Sequence, residues 1–521
     1  MPTSTVKHVF GPLQTRKTGP ERLQMSNSVI HFSRVVTARL TLPAVLFTVC
    51  GFMILVKSSR VEAQTLQARI SVTSVAPARI SIEAEFPSAR RVLSFRNAYG
   101  SVLGLGERIE MLEAIKASGE RIAVQKLAPG EFQTSEEFTR FKFDVDVTEP
   151  ARPAQMSHVS WLNREQGLLM LADLLPIPTK NSGNYSSAVI KVDVPPGWTV
   201  AANAKHEGAE FSTDDPENTV FLIGPSVHEK SQKLAATNLS LISSGEWPFS
   251  DKDAGKIAGK LIEEYTRLTR FDLKRNAVVM LIPLPGETGP ESWNAETRGN
   301  DVVLVLGRNA SRSRVLSRLG IVLSHEIFHL WVPNSLELQG DYDWFFEGFT
   351  LYQALRMDVH FGLISFNDYL ETIARVYDSY LSDVNHDRLS LIEASERRWT
   401  NSSSLVYEKG MLVAFIYDLS LRNLTNCRAS LDDVYRELFG LSATGQGSAN
   451  ETIIRVLSKR PGLESFAKDY VESAGKIDLD SVISSFGIQV QRAGPGPTKL
   501  AVSRSLNKTE RNLLRCIGEG K

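Results

Sequence analysis

The stretch SHEIFHLWVPNSLELQGDYDWFFEGFTLY, residues 324–352, decides how the chain is read. His325 and His329 are four positions apart. On a helix that spacing puts both imidazoles on one face, one turn apart, able to grip a single ion. Glu326 lies off that line, where its carboxylate can reach a water on the ion and serve as general base. Imidazole nitrogens suit Zn²⁺, and a catalytic zinc takes three protein ligands plus an open position. The third ligand has to come from a second element packed against this helix. Glu347 leads, because Trp344, Phe345, Phe346, Phe349 and Leu351 would bury one side of its helix and hold the carboxylate toward the metal. Glu337 and Asp343 compete from SLELQG and GDYDW, which read as exposed loop. Two His in the polar face of a metal-free helix is the plainer alternative. Against it, Ile321, Val322, Leu323, Phe328 and Leu330 flank the motif, and a buried face with two His and a Glu is costly unless something satisfies them.

The composition around this segment is that of a soluble globular protein. Of the 521 residues, 42% are hydrophobic and 23% charged, which argues against global disorder and a multi-span membrane protein. Lys+Arg and Asp+Glu are both 59, so the basic excess of a nucleic-acid binder is missing and no nucleic-acid partner is expected. Three Cys rule out a disulfide-built scaffold.

Residues 1–39 are basic and Ser/Thr-rich, and LTLPAVLFTVCGFMILV (40–56) carries no charge. That run is short for a spanning helix of about 20 residues. It is followed by VEAQ, where Val61 and Ala63 have the small-residue pattern of a signal-peptidase site. The expectation is export, to the periplasm or outside the cell, with cleavage after Ala63 and with Met25 as an alternative start. A membrane anchor through 40–56 is the competing outcome. Loss of 1–63 would remove eight basic and two acidic residues, leaving 51 and 57, a net charge of −6. Of the Cys that remain, Cys427 and Cys516 could pair in an oxidising compartment or stay as two thiols.

Residues 64–245 read as a β-rich, sandwich-like domain. ARISVTSV (68–75), ARISIEAEF (78–86), FTRFKFDVDV (138–147), AVIKVDV (188–194) and TVFLIG (219–224) alternate or run β-branched and aromatic. His158, His206 and His228 are scattered there and read as surface or packing residues. Near residue 250 the pattern changes: Ser250 and Asp251 can cap a helix. NAVVMLIPL (276–284) and DVVLVLG (301–307) read as strands, 311–332 as a buried helix, and the rest as largely helical to about 475. The expected parts are 246–430, a mainly helical catalytic domain with a small sheet, 431–490, its C-terminal helices, and 491–521, a flexible tail. The fold class is α+β, multidomain.

The three blocks HEIFH, WFFEGFTLY and LVYEKGMLVAFIYDLSLR (405–422) together resemble the glycyl aminopeptidase family of gluzincin zinc metallopeptidases. SWLNREQGLLMLADLLP (160–176) and the stretch 431–490 are similar as well, so the resemblance covers about 160–490. It implies a thermolysin-like catalytic domain that hydrolyses peptide bonds, as an aminopeptidase, with one Zn²⁺ held by His325, His329 and Glu347 and with Glu326 as base. It makes Tyr407, otherwise a core aromatic on a helix, the residue that stabilises the tetrahedral intermediate. It places DVVLV (301–305) as the strand that pairs with extended substrate. Glu296, in Asn294-Ala295-Glu296-Thr297-Arg298 where the family has G-L-E-H-R, falls where the substrate's free α-amino group is captured; Glu291 is a rival alignment. The family often carries a C-terminal PDZ domain; with about 30 residues after the last matching block, none is expected in this sequence. A protein that binds peptides on a retained peptidase scaffold without cutting them is the alternative function.

Overall fold

Strand Ala78–Ser94 buries Ile80, Ile82, Ala84 and Phe86, while Thr65–Val75 buries Leu66, Ala68 and Ile70, so each strand offers one apolar face at period two. These strands lie at the centre of a nine-stranded sheet, with Ile82 opposite both Ile70 and Phe143. This is a computed structural model; it describes residues 65–178, 185–235, 237–442, 447–491 and 496–518. The expected export segment, including the 40–56 run, Met25 and Ala63, lies outside the described residues.

A four-stranded sheet (Thr199–Ala202, Val220–Gly224, Gly167–Met170, Trp161–Leu162) stacks on the first and completes the sandwich. Its strands Gly167–Met170 and Val220–Gly224 are buried on both faces. Leu169, Phe221 and Ile223 join the sandwich core, whereas Leu168, Met170 and Leu222 pack with Met280, Ile282, Val303 and Val305 of the next module. The continuous apolar runs GLLM and VFLIG follow from that double burial.

The next module's sheet has five strands, ordered His228–Lys233, Asn238–Ser243, Ala277–Pro283, Asp301–Leu306, Trp293–Arg298. Two expectations change here. The module's sheet begins at His228, not at 246, because Asn238–Ser243 pairs in parallel with Ala277–Pro283. And Asp301–Leu306 is interior, flanked on both sides, so the strand with an open edge is Trp293–Arg298, antiparallel to it. The physical reason is visible in burial: every residue of Asp301–Leu306 is buried, whereas five of the six in Trp293–Arg298 are half-exposed.

Helix Asp251–Thr269 starts with a capping box in which Ser250 and Asp253 satisfy each other's backbone N–H. It packs with Arg312–Glu326, Thr350–His360, Phe366–Ser382, Ser403–Thr425 and Leu431–Ser442 around one apolar core. Among the described residues no helix is long and apolar enough to cross a membrane.

The expected flexible tail is a correction. Ile488–Gln491 pairs with Lys499–Val502, and Lys508–Ile517 is a helix capped by Asn507. Leu513, Leu514 and Ile517 sink into the main core, each burial worth roughly 1.5–3 kcal/mol. A disulfide from Cys427 to Cys516 ties this helix to the end of helix Ser403–Thr425. Only a few apolar positions do this packing, so the polar composition hides them.

Candidate active site

Helix Arg312–Glu326 presses Val315, Leu319, Val322 and Leu323 into the core and ends inside the HEIFH motif; a 3-10 turn, Phe328–Leu330, continues it. His325 and His329 leave its opposite side. His329 Nδ1 donates to the Val332 carbonyl at 2.8 Å. That fixes the tautomer and leaves the Nε2 lone pair facing the site. Burial, and then the neighbouring His329, pushes the His325 imidazole down to about 3, so it stays neutral and able to ligate.

Glu347 is on a π-helical turn, Trp344–Phe349, that leads into helix Thr350–His360. Such turns re-aim one side chain and are frequent at functional sites. Trp344, Phe345 and Phe349 are buried on one side of it, and Glu347 points the other way. Glu347 Oε2 is 3.7 Å from His325 Nε2 and 3.5 Å from His329 Nε2, and the two Nε2 atoms are 3.0 Å apart. A tetrahedral zinc with bonds of about 2.0–2.1 Å separates its ligand atoms by about 3.3 Å. The three distances bracket that value, so this donor set fits one zinc ion. The rival carboxylates are elsewhere: Glu337 is exposed beside Lys274, and Asp343 is paired to Arg398.

Glu326 is 7% exposed, and burial lifts its carboxyl to about 7. Thr297 Oγ1, on the edge strand, lies 2.9 Å from Glu326 Oε2 and 2.8 Å from the Glu326 carbonyl oxygen. Thr297 therefore aims the carboxylate. A cavity of about 450 Å³ opens beside Thr297, with Tyr99, Arg275, Arg298, Asn300 and Asn334 among its walls.

Tyr407 sits in the first turns of helix Ser403–Thr425. This helix touches the Glu347 turn backbone to backbone: a Cβ on Gly410 would meet the Trp344 carbonyl oxygen at 2.6 Å, and one on Gly348 would meet Gly410 Cα at 2.5 Å. Glycine at both places permits the approach. Tyr407 lies three residues before Gly410, and Glu347 is next to Gly348, so the same contact brings phenol and carboxylate together. The Tyr407 hydroxyl is hydrogen-bonded to Glu347 and accepts from Arg398 Nη2 at 2.6 Å. Burial, then Glu347, raises the phenol well above its ordinary value.

Glu296 lies on the edge strand next to Thr297, and successive side chains of a strand point to opposite faces. Its carboxylate accepts from Tyr99 and pairs with His158, both from the β-rich half, and Arg298 Nε is 3.1 Å away. Burial alone would raise this carboxyl; Arg298 and then His158 hold it below the usual range. His158 is thus a partner of Glu296, where the sequence suggested only surface or packing. Glu291 is bound by Arg314 and Arg318, each at 2.6 Å. The sequence reading missed Thr297 and Arg398 as contacts of the site. Neither has a spacing signal, because each reaches it through tertiary packing.

Residues 318–413, which hold His325, Glu326, His329, Glu347 and Tyr407, match the family model described as M61 glycyl aminopeptidase. No curated protein sequence matches the chain. Among solved structures, an aminopeptidase N family protein from Idiomarina loihiensis is similar with a TM-score of 0.69 and 19% identity, over 83% of this chain and 80% of that one. A mutant M1 zinc metallopeptidase from Deinococcus radiodurans, bound to a Tyr-Ser-Ala substrate, is similar with a TM-score of 0.50 and 13% identity, over 80% of this chain and 94% of that one. At these identities the likeness establishes the fold: a β-rich N-terminal part followed by a mainly helical module.

Proposed function

We propose, from the premise that residues 318–413 form an M61 glycyl aminopeptidase-type segment, that the protein is a zinc-dependent peptidase that removes residues from the amino end of peptides. The observation that carries this reading is the spacing of His325 Nε2, His329 Nε2 and Glu347 Oε2, which suits one zinc ion, beside a buried Glu326. A peptide substrate is also supported by the Tyr-Ser-Ala complex of the Deinococcus relative.

Bound at the His325–His329–Glu347 set, zinc would supply Lewis acidity, acidifying a water to a pKa of about 7 and polarising the scissile carbonyl. The remaining work falls to side chains. An extended peptide pairs with the open edge of Trp293–Arg298. Glu326, aimed by Thr297, takes the proton of the attacking water and returns it to the leaving amine. The Tyr407 hydroxyl turns from Glu347 to the substrate carbonyl oxygen and donates to it as negative charge develops. The family resemblance assigns amino-terminal selectivity to Glu296, although its carboxylate leaves the strand on the face opposite Thr297. Its present partners already neutralise it, so a substrate ammonium competes with Arg298 for the carboxylate. Export is supported by the Cys427–Cys516 disulfide, which belongs to an oxidising compartment; anchorage through 40–56 is the other form of the same proposal.

The test is cleavage of matched peptides with free and N-acylated amino ends, with and without a zinc chelator. Cleavage is expected to stop with chelator and return with zinc, and the free-amine peptide is expected to be favoured at least ~10-fold, about the 1.4 kcal/mol or more that one ion pair out of bulk water can contribute. Chelator-insensitive cleavage overturns the zinc reading. Equal cleavage of both peptides overturns only the aminopeptidase reading.

A further inference from the structure

We propose that Arg398 is a positioning residue of the reaction, holding Glu347 and Tyr407 in one geometry; this rests on the zinc-peptidase reading above. Arg398 opens the π-helical turn Arg398–Ser402 that precedes helix Ser403–Thr425. Its side chain is 10% exposed. One nitrogen, Nη1, binds Asp343. The other, Nη2, lies 2.7 Å from Glu347 Oε1 and 2.6 Å from the Tyr407 hydroxyl oxygen. The rings of Phe346, Trp399 and Tyr407 surround the guanidinium, with centroids at 5.6, 4.8 and 5.3 Å.

Three features separate this from an ordinary buried ion pair. First, the two oxygens of Glu347 are divided: Oε2 faces the imidazoles and Oε1 faces Arg398. The arginine thereby fixes which oxygen is offered to a metal. Second, Asp343 and Glu347 are four residues apart on one turn, so the planar fork grips that turn at two points. A lysine offers only one point charge and cannot copy this. Third, the Tyr407 oxygen accepts from Arg398. A hydroxyl has a single proton. With Arg398 on its lone pair, that proton is turned away from the guanidinium, toward Glu347 at rest and toward a substrate oxygen in turnover. Charge balance alone asks only for Asp343; the second nitrogen is spent on two groups of the reaction.

The experiment uses full-length holoenzyme and the variants Arg398→Ala and Arg398→Lys, assayed with added guanidinium chloride at millimolar, non-denaturing concentration. The expected result for Arg398→Ala is a kcat lower by about 30- to 100-fold, KM within about 3-fold, and zinc retention against a competing chelator weaker by about 10- to 100-fold. Guanidinium restores at least ~10-fold of the lost kcat in Arg398→Ala and nothing in the unaltered enzyme. Arg398→Lys, which keeps charge and bulk, remains at least ~10-fold impaired. Two results overturn the proposal: both variants within about 3-fold of the unaltered kcat and zinc retention, or a loss that guanidinium does not touch and that a matching fall in Tm accounts for. Chelator-insensitive activity of the unaltered enzyme is a separate result, and it overturns the reading on which this one rests.

Discussion

Glu326→Gln is expected to lower kcat by about 10³-fold or more while the zinc content stays unchanged. The amide has the same shape, and its oxygen can still accept from Thr297, so packing and the edge-strand contact survive. What is lost is a basic oxygen next to the attacking water, and a positioned general base contributes about 10²- to 10⁴-fold. The replacement also removes the group that would reprotonate the leaving amine, so both halves of the reaction suffer. Metal analysis beside steady-state kinetics checks this. The same variant decides the alternative, a peptide-binding protein that does not cut: titration of the variant with a slow substrate should show binding close to that of the unaltered protein. If turnover survives in Glu326→Gln, Glu326 is not the base.

The second large effect is expected from Tyr407→Phe. The ring packs partly against the main core, and phenylalanine keeps that packing. Only the hydroxyl goes, together with its bonds to Glu347 and Arg398. Removing one donor to a developing oxyanion costs about 10²- to 10³-fold in kcat, or about 2.7–4 kcal/mol. KM should change little, because that bond strengthens only as charge builds up on the oxygen. A kcat within about 3-fold of the unaltered enzyme would leave Tyr407 as a core aromatic. An unchanged kcat with a raised KM would make it a substrate contact and nothing more.

How far the site could be read from the sequence depended on whether its geometry is local. His325, Glu326 and His329 share one helix, so a four-residue spacing already states their arrangement. Glu347 could be placed because the aromatic residues around it mark the buried side of its helix, and Tyr407 only through the family resemblance; the close backbone crossing at Gly348 and Gly410 that brings the two together shows only in the structure. Thr297 and Arg398 carry no such mark. Thr297 matters because the edge strand runs past the end of the motif helix, and Arg398 because a π turn bends it inward. The edge strand itself was misplaced: DVVLV is continuously apolar, which signals an interior strand, and the half-exposed WNAETR beside it holds the edge. The C-terminal helix was missed since Leu513, Leu514 and Ile517 are its only buried residues.

The most direct test of the account is the metal content of the purified protein and of Glu347→Ala. The account predicts one zinc per chain in the unaltered protein and a loss of most of it in the variant, with activity lost in step. A fully active protein that holds no stoichiometric divalent metal, or a variant that keeps both its zinc and its activity, would contradict it.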